Sequence, residues 1–302
     1  SVDDPSLARN YGFWSAAEQQ ALLSANVAVA GIGGDGYLLG LSLIRMGVGT
    51  LRVADPEVFE LENVNRVPGA IHPNMGRPKV DCFFEDALAI NPSLKLEVFP
   101  DGVTVGSIES FLDGVDLVID ETELTCLDVG TMIADQARLS GIPNLHALNI
   151  GFASQVMSFH PSKGPTFRDM IGVDETTSLE EVADANLDLR RILPFLPEYV
   201  DVEVLHAVNR GAPLPSIVQG VNLASALGTS QAFLHLVAGT EGSRRPEPVW
   251  YPEVLYVDSL TGLSKLSTDT TASFDLSLQV MEDNSANQRV TRLKYPLVSS
   301  ID

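Results

Sequence analysis

The sequence is poor in cysteine and in basic residues. Its 302 residues include two cysteines, Cys82 and Cys126, which exclude a disulfide framework and a four-cysteine zinc site. Its 19 Lys and Arg residues stand against 40 Asp and Glu, so the formal net charge is −21. A chain this acidic lacks the positive surface that attracts nucleic acid or an anionic membrane, and we expect neither as a partner.

Long apolar runs are also absent, since no stretch approaches the ~20 residues needed to span a bilayer. The first five residues, Ser-Val-Asp-Asp-Pro, are polar and acidic and do not resemble a signal peptide. Together with the scarce cysteines, these features predict a cytoplasmic protein. The hydrophobic fraction of 45% is typical of a globular chain with a full core.

The most informative stretch is residues 26–36, where an apolar run leads into a glycine-rich turn and a helical pattern follows. Four glycines fall in six positions: Gly31, Gly33, Gly34 and Gly36. A helix start leaves N–H donors unpaired and carries a partial positive charge, so a strand, a glycine turn and a helix together form a phosphate site. A tight strand-to-helix turn without a ligand is the alternative.

Asp55 follows the second predicted strand, residues 50–54. An acidic residue roughly 20 positions past the glycines is placed to bind ribose hydroxyls, although it also suits capping of the next turn. The glycine turn and Asp55 alone fit an NAD-dependent oxidoreductase.

The segment after Asp55 concentrates the scarce cations next to two asparagines. Its polar residues are Asn63, Asn65, Arg66, Arg77 and Lys79. Arg offers a planar fork and Lys a point charge, and both suit phosphate oxygens. The pattern indicates a nucleotide site with additional cations; a solvated loop is the alternative.

Further motifs follow in a fixed order along the chain. The pieces are Arg9, Gly31–Gly36, Met46–Gly49, Asp55, Glu62–Arg66, Gly76–Lys79, Ile90–Pro92, Asp116–Glu123 and Pro215–Gly239. In this order they resemble the ThiF/MoeB/HesA family of adenylating enzymes, which are similar to ubiquitin-activating enzymes. The resemblance implies an α/β, Rossmann-like fold with a mostly parallel sheet and helices on both faces. It also implies that the protein binds ATP and Mg²⁺ and converts a carboxylate to an acyl-adenylate.

The resemblance assigns roles to residues as well. It implies that Arg66 and Lys79 grip the triphosphate, that Asn63 orients it, and that Asp55 holds the ribose. Arg9 is expected to act in trans, from the neighbouring subunit of a homodimer. The implied substrate is the carboxyl terminus of a peptide or of a small carrier protein, or a small acid.

Several positions depart from the family pattern. Glu123 and Leu124 stand where the family has Asp and Asn; we expect Glu123 to bind Mg²⁺, with Asp120 as a second candidate, since Mg²⁺ needs one or two protein carboxylates. Asp128 replaces a family arginine. Asp35 occupies an apolar position of the glycine turn, where a carboxylate lowers phosphate affinity unless it turns outward or pairs with a cation. These departures keep open a catalytically degenerate scaffold.

The cysteines decide against a thioester step. Family members with a thioester carry its cysteine in the crossover region, here residues 155–215, which contains none. Cys126 lies too early in the chain, although its place at a predicted helix start is one where a thiol pKa can be lowered. Cys82 reads as a buried structural thiol. We expect adenylation without a thioester, with an amine or amide of the substrate attacking the adenylate directly.

The whole chain, 1–302, is predicted to be a single adenylation domain. Its predicted parts are an arm and helix (1–25), a nucleotide-binding half (26–155) and a crossover and dimerisation half (156–302). In the arm, Ser15 is the expected N-cap of a helix, with Glu18 at capping-box spacing. Further predicted elements are helices at 80–90 and 216–238, helical pieces at 178–184 and 187–195, and strands at 142–150, 254–258, 263–266 and 274–280.

Overall fold

The computed structural model describes residues 4–185, 189–193, 195–197, 199–209, 212 and 214–267. Eight strands are present in this part of the chain. They are β1 (Asn26–Ala30), β2 (Thr50–Ala54), β3 (Lys95–Phe99), β4 (Leu117–Asp120), β5 (Asn144–Ile150), β6 (Ala153–Phe159), β7 (Val254–Asp258) and β8 (Leu263–Ser267). They form one sheet in the order β3-β2-β1-β4-β5-β6-β7-β8.

The α-helices connect and cover these strands. They are α1 (Ala16–Ser24), α2 (Gly34–Met46), α3 (Lys79–Ile90), α4 (Ile108–Leu112), α5 (Leu127–Leu139), α6 (Phe167–Ile171), α7 (Leu179–Ala183), α8 (Leu189–Ile192), α9 (Val202–Asn209) and α10 (Val218–Leu236). Short 3-10 helices lie at Pro5–Asn10, Leu61–Asn63 and His72–Asn74. Among the described residues, no helix combines the length and the apolar character that crossing a membrane requires.

Strands β1 to β5 run parallel to one another. Each of β6, β7 and β8 runs antiparallel to the strand that precedes it in the sheet. In a doubly wound sheet of this order, the chain reverses direction across the sheet between β1 and β4, and ligands bind at that point. The α/β prediction is confirmed, with an antiparallel extension beyond β5. Strands β3 and β6 were missed from the sequence, although residues typical of turns flank both of them: Asn91-Pro92 and Pro100–Gly102 for β3, and Gly151 and Pro161 for β6.

The core forms where the central strands are covered on both faces. Residues 27–30 of β1 are fully buried, which explains their unbroken apolar run. Helix α10 packs against α2, β5 and β6. A side chain at Gly228 would place its Cβ 2.8 Å from Leu39 and 3.0 Å from Ala147, so glycine here permits the close approach of α10.

Most predicted elements occur with small shifts at their ends. The helix predicted at 80–90 is α3, and the one predicted at 216–238 is α10, two residues shorter at each end. The long segment 160–214 contains α6 to α9. The strand predicted at 274–280 and the tail from 268 onward lie outside the described residues.

The N-terminal arm is fixed by one buried carboxylate. Ser15 caps α1, and Glu18 completes the capping box, as predicted. Glu18 is 3% exposed, and its two oxygens also accept hydrogen bonds from Arg245 Nε at 2.8 Å and Nη2 at 3.1 Å and from Ser243 Oγ at 2.9 Å. Hydrogen bonding to Arg245 is the largest of the effects that lower the pKa of Glu18 to about 2. The arm is thereby joined to the segment after α10.

We expect Glu18→Gln to lower the free energy of unfolding by about 2 kcal/mol at pH 7, because the charged acceptor of Arg245 is lost. The folded pKa is depressed, so the ionised Glu18 stabilises above its unfolded pKa of 4.5 and less so as pH falls towards 2. Urea titrations should therefore show a difference between the two proteins that shrinks below about pH 4.5. The exposed Glu175→Gln serves as control; an equal loss in both variants at pH 7 contradicts the assignment.

Candidate active site

One edge of the sheet holds a cavity of about 740 Å³. Strands β1, β2, β4 and β5 are parallel, so the residues that follow them meet at this edge. The glycine turn, Asp55, the loop after β4 and the end of β5 all line the cavity. Residues Val208, Leu214 and Ser216 add a wall from the crossover segment. The volume lies in the range of small-molecule sites.

The glycines of the turn serve two different purposes. Gly31 has φ +90°, and a side chain there would place its Cβ 2.3 Å from the Glu121 carbonyl oxygen. At Gly36 the Cβ would lie 2.0 Å from the carbonyl oxygen of Gly31. These two glycines let the turn pack against the neighbouring backbone. Gly33 differs, because no atom lies within 4 Å of its Cβ position, and it faces open cavity space.

The N-terminus of α2 supplies unpaired backbone donors beside that open space. The first hydrogen bond of the helix runs from the Tyr37 amide to the Gly33 carbonyl, at 3.1 Å. The amides of residues 34–36 precede it and have no acceptor within the helix. A phosphate group fits such a helix start, with glycine leaving room for it.

Asp55 is held in place by two backbone amides. Its Oδ2 accepts from Ile32 at 2.7 Å and its Oδ1 from Glu57 at 2.8 Å. Burial raises its pKa, and nearby Lys79 opposes that rise. Each carboxylate oxygen has a further lone pair, so Asp55 can still accept a hydrogen bond from a ribose hydroxyl.

Asn63, Arg66 and Lys79 also line the cavity. Lys79, the first residue of α3, is 5% exposed, and its Nζ pairs with Glu57. Arg66 Nη1 donates to the Glu62 carbonyl at 3.0 Å and to Asn65 at 2.9 Å. The oxygen of Asn63 accepts from the Glu60 amide at 3.0 Å.

Negative charge dominates the cavity wall. The carboxylates lining it among the described residues are Asp35, Asp55, Glu57, Glu60, Glu62, Asp101, Glu121 and Glu123, and the cations are Arg66 and Lys79. A bare triphosphate would meet repulsion here. An anion in this cavity would depend on those two cations and on the start of α2.

Asp35 neither turns outward nor pairs with a cation. It is 8% exposed, and its Oδ2 accepts a hydrogen bond from Asn149 Nδ2 at 2.6 Å. Glu121 accepts from the Ala147 amide at 3.1 Å. Burial raises the pKa of Asp35 to about 7. The pKa of Glu121 is also raised, mainly by burial and in addition by the charge of Asp35.

Glu123 is exposed at the cavity wall and accepts from the Thr125 hydroxyl at 3.3 Å. Asp120 is buried; its Oδ1 accepts from the amide and the hydroxyl of Thr122. Glu123 is thus the more accessible of the two candidate metal ligands. The described residues contain no cluster of three metal-ligating side chains, so a Mg²⁺ ion would depend on phosphate and water ligands as well, as Mg²⁺ usually does.

The remaining polar residues singled out from the sequence do not line the cavity. Arg77 pairs with Glu85 and does not line the cavity, and Asn65 bonds the Ser216 carbonyl at 3.0 Å. Arg9 is exposed on the 3-10 helix Pro5–Asn10, outside this cavity, so its role in trans stays a prediction.

The thiol pKa of Cys126 differs from the one expected from the sequence. This residue lines the cavity as the N-cap of α5, but its pKa is raised, by partial burial and by the charges of Glu123 and Asp128. The lowered thiol pKa considered from its helix-start position is wrong, because desolvation, followed by the charges of Glu123 and Asp128, raises it. Cys82 is buried in the core, as predicted.

The polar cavity residues that were missed from the sequence include Glu57, Glu121 and Asn149. Glu121 directly follows β4, and Asn149 lies near the end of β5. Since the carboxyl ends of parallel strands share one edge, polar residues at those ends were the available signal. The pairing of Glu57 with Lys79 depends on the path of the loop between them, and the spacing of apolar residues in the sequence does not predict that path.

Comparison with known proteins identifies the family of the chain. A model of the ThiF family matches residues 7–262. The chain belongs to the ThiF family. The sulfur carrier protein adenylyltransferase of Thermus thermophilus is 28% identical over 155 residues, covering 50% of this chain and 56% of that protein. The tRNA threonylcarbamoyladenosine dehydratase of Bacillus subtilis is 33% identical over 114 residues, covering 37% and 45%.

The chain spans only part of its curated relatives. For the two above, that share is about half of the relative's length. The likeness to solved structures extends further along this chain. MccB of E. coli, solved with ATP, covers 90% of this chain and 73% of its own, with 14% identity and a TM-score of 0.63. PaaA covers 87% and 68%, with 18% identity and a TM-score of 0.58. These likenesses confirm the predicted ThiF-type fold.

Replacement by alanine should have different effects on stability at Gly36, which packs against backbone, and at Gly33, which faces open space. Gly36→Ala should lower the free energy of unfolding by about 3 kcal/mol or prevent folding, because its Cβ meets the Gly31 carbonyl. Gly33→Ala enters open space at φ −79° and should change stability by less than about 1 kcal/mol. Chemical denaturation measures both. Equal stability of the two variants would contradict the packing described here.

Proposed function

We propose that the chain binds Mg·ATP in this cavity and adenylates a carboxylate. The observation that carries the proposal is the buried Lys79, which lines the same cavity as Arg66 and the open space over Gly33. Membership of the ThiF family and the solved ATP complex of MccB support ATP as the nucleotide. An NAD-dependent oxidoreductase needs only the glycine turn and Asp55 and leaves both cations unexplained.

In the proposed reaction, a carboxylate oxygen of the substrate bonds to the α-phosphorus while the bond from that phosphorus to the bridging oxygen breaks. Pyrophosphate leaves with the electron pair. Lys79 exchanges Glu57 for phosphate oxygens, and Arg66 stabilises the charge that develops on the transferring group. The amides at the start of α2 hold the phosphates in place, and Asp55 accepts from the ribose. Asn63 supplies its remaining Nδ2 donor.

The residues present fit a Mg²⁺ ion, since Glu123 offers an accessible carboxylate on the cavity wall. When bound, Mg²⁺ supplies positive charge that neutralises phosphate oxygens. This charge matters more here than in a basic cavity, because eight carboxylates surround the site and no further Lys or Arg lines it among the described residues.

No thioester step belongs to the proposed reaction. The sequence has no cysteine between residues 155 and 215, and the raised pKa of Cys126 keeps that thiol protonated at neutral pH. The acyl group therefore passes from the adenylate directly to a nucleophile of the substrate. The carboxylate belongs to a peptide or a small carrier protein, in line with the name of the Thermus relative. The net charge of −21 disfavours tRNA.

We further propose that the active form is a homodimer in which Arg9 reaches the partner's cavity. The support is its exposure on the arm, which Glu18 anchors to the body of the chain. The second candidate function is a catalytically degenerate scaffold. It is favoured by Asp35, whose carboxylate lies at the phosphate-binding turn.

Exchange of labelled pyrophosphate into ATP tests adenylation. With a pool of peptides ending in free carboxylates, we expect exchange that Lys79→Ala lowers by about 30-fold, because a charge-assisted phosphate contact is lost. Lys95→Ala is the control, since Lys95 is exposed on β3 and does not line the cavity. The same pool with amidated carboxyl termini should give no exchange.

Unchanged exchange in Lys79→Ala would contradict the role of that residue. ATP binding without exchange, across peptide and carrier-protein pools, would favour the scaffold. Absence of ATP binding would overturn the proposal altogether.

A further inference from the structure

A group of hydrogen-bond acceptors lies in the cavity wall where the adenylation mechanism uses none. Asp35 comes from the first turn of α2, Glu121 from the loop after β4, and Asn149 from β5. All three line the cavity. The bond from Asn149 Nδ2 to Asp35 Oδ2, at 2.6 Å, fixes two of them relative to each other. The Ala147 amide fixes Glu121 at 3.1 Å.

Two oxygens of this group have no partner. Asp35 Oδ1 and Asn149 Oδ1 are buried, and neither accepts a hydrogen bond in the described part of the chain. Asp35 itself is 8% exposed. A buried polar atom without a partner is costly, and native proteins leave few of them. The arrangement is therefore suited to a ligand that supplies donors.

The chemistry of these unpartnered atoms indicates the kind of ligand. With Asp35 and Glu121 ionised they are all acceptors, and two of the three side chains are carboxylates, so a ligand that donates and carries positive charge matches them. Such a cation would also oppose the burial that raises the pKa of both carboxyl groups. A primary ammonium group carries three N–H donors and no acceptor, which matches a site made of acceptors alone. A metal ion is the alternative cation, and competition by KCl and MgCl₂ distinguishes the two.

We propose that Asp35, Glu121 and Asn149 bind the primary ammonium group of an amine substrate. The role of this amine rests on the proposed adenylation: it is the acceptor of the acyl group. The ammonium group first gives up one proton to solvent, which frees the lone pair of its nitrogen. The nitrogen then bonds to the acyl carbon, the bond from that carbon to the phosphate oxygen breaks, and AMP leaves with the electron pair. A second proton passes from the nitrogen to solvent as the amide forms. The acidic cavity wall attracts such a cation.

This assignment also explains Asp35 itself. A carboxylate at an apolar position of the glycine turn weakens phosphate binding if it faces the phosphates. Here it points to Asn149 instead, and an ammonium group beside it would neutralise its charge. The same residue that disfavours ATP alone would then favour ATP together with an amine.

Saturation-transfer NMR with n-butylammonium chloride tests the site on the intact chain, without ATP. We expect a signal for n-butylammonium and none for n-butanol. Asp35→Asn keeps the shape of the side chain and should weaken binding by about 10-fold, because the charged acceptor is lost. Asp81→Asn removes an exposed carboxylate of α3 that does not line the cavity and should leave binding within about two-fold. Circular dichroism confirms that each variant folds.

The proposal is overturned by equal signals for n-butylammonium and n-butanol, by no signal, or by equal weakening in both variants. Loss of the signal when millimolar KCl or MgCl₂ is added would overturn it in favour of an inorganic cation site. Glu121→Gln is a second variant of the same site and should also weaken binding of n-butylammonium. The experiment uses no ATP, so a failure of adenylation and a failure of this site appear separately.

Discussion

The excess of carboxylates around one cavity is the constraint on which the functional features depend. Eight line it, against Lys79 and Arg66. The sources of positive potential in the wall are the start of α2 over Gly33 and the two cations, to which the proposed function adds a metal ion at Glu123. The same excess makes a cationic substrate group favourable. In the proposed function, charge thus links the nucleotide to the amine substrate within one site.

Backbone packing makes this arrangement possible. Gly31 and Gly36 allow the turn after β1 to lie directly against the residues after β4. That contact brings Glu121 and Asp35, which are far apart in sequence, to the same part of the cavity wall. A larger residue at either glycine would separate the two strand ends, and with them the phosphate site from the acceptor group.

The sequence predicted local features better than long-range ones. The glycine turn, the strand ending before Asp55 and the capping box of α1 depend on neighbouring residues, and all three occur as expected. The bond between Asp35 and Asn149 joins positions 114 residues apart, and the direction of the Asp35 side chain depends on it. The pKa of Cys126 was misjudged for a related reason: Glu123 and Asp128 act on it together with burial.

Calorimetric titration of ATP and of NADH into the intact chain, each with and without MgCl₂, distinguishes a Mg·ATP site from a dinucleotide site. We expect ATP to bind in the presence of Mg²⁺, EDTA to abolish this binding, and NADH neither to bind nor to displace ATP. Binding of NADH in place of ATP, or no ATP binding with Mg²⁺ present, would contradict the proposed Mg·ATP site.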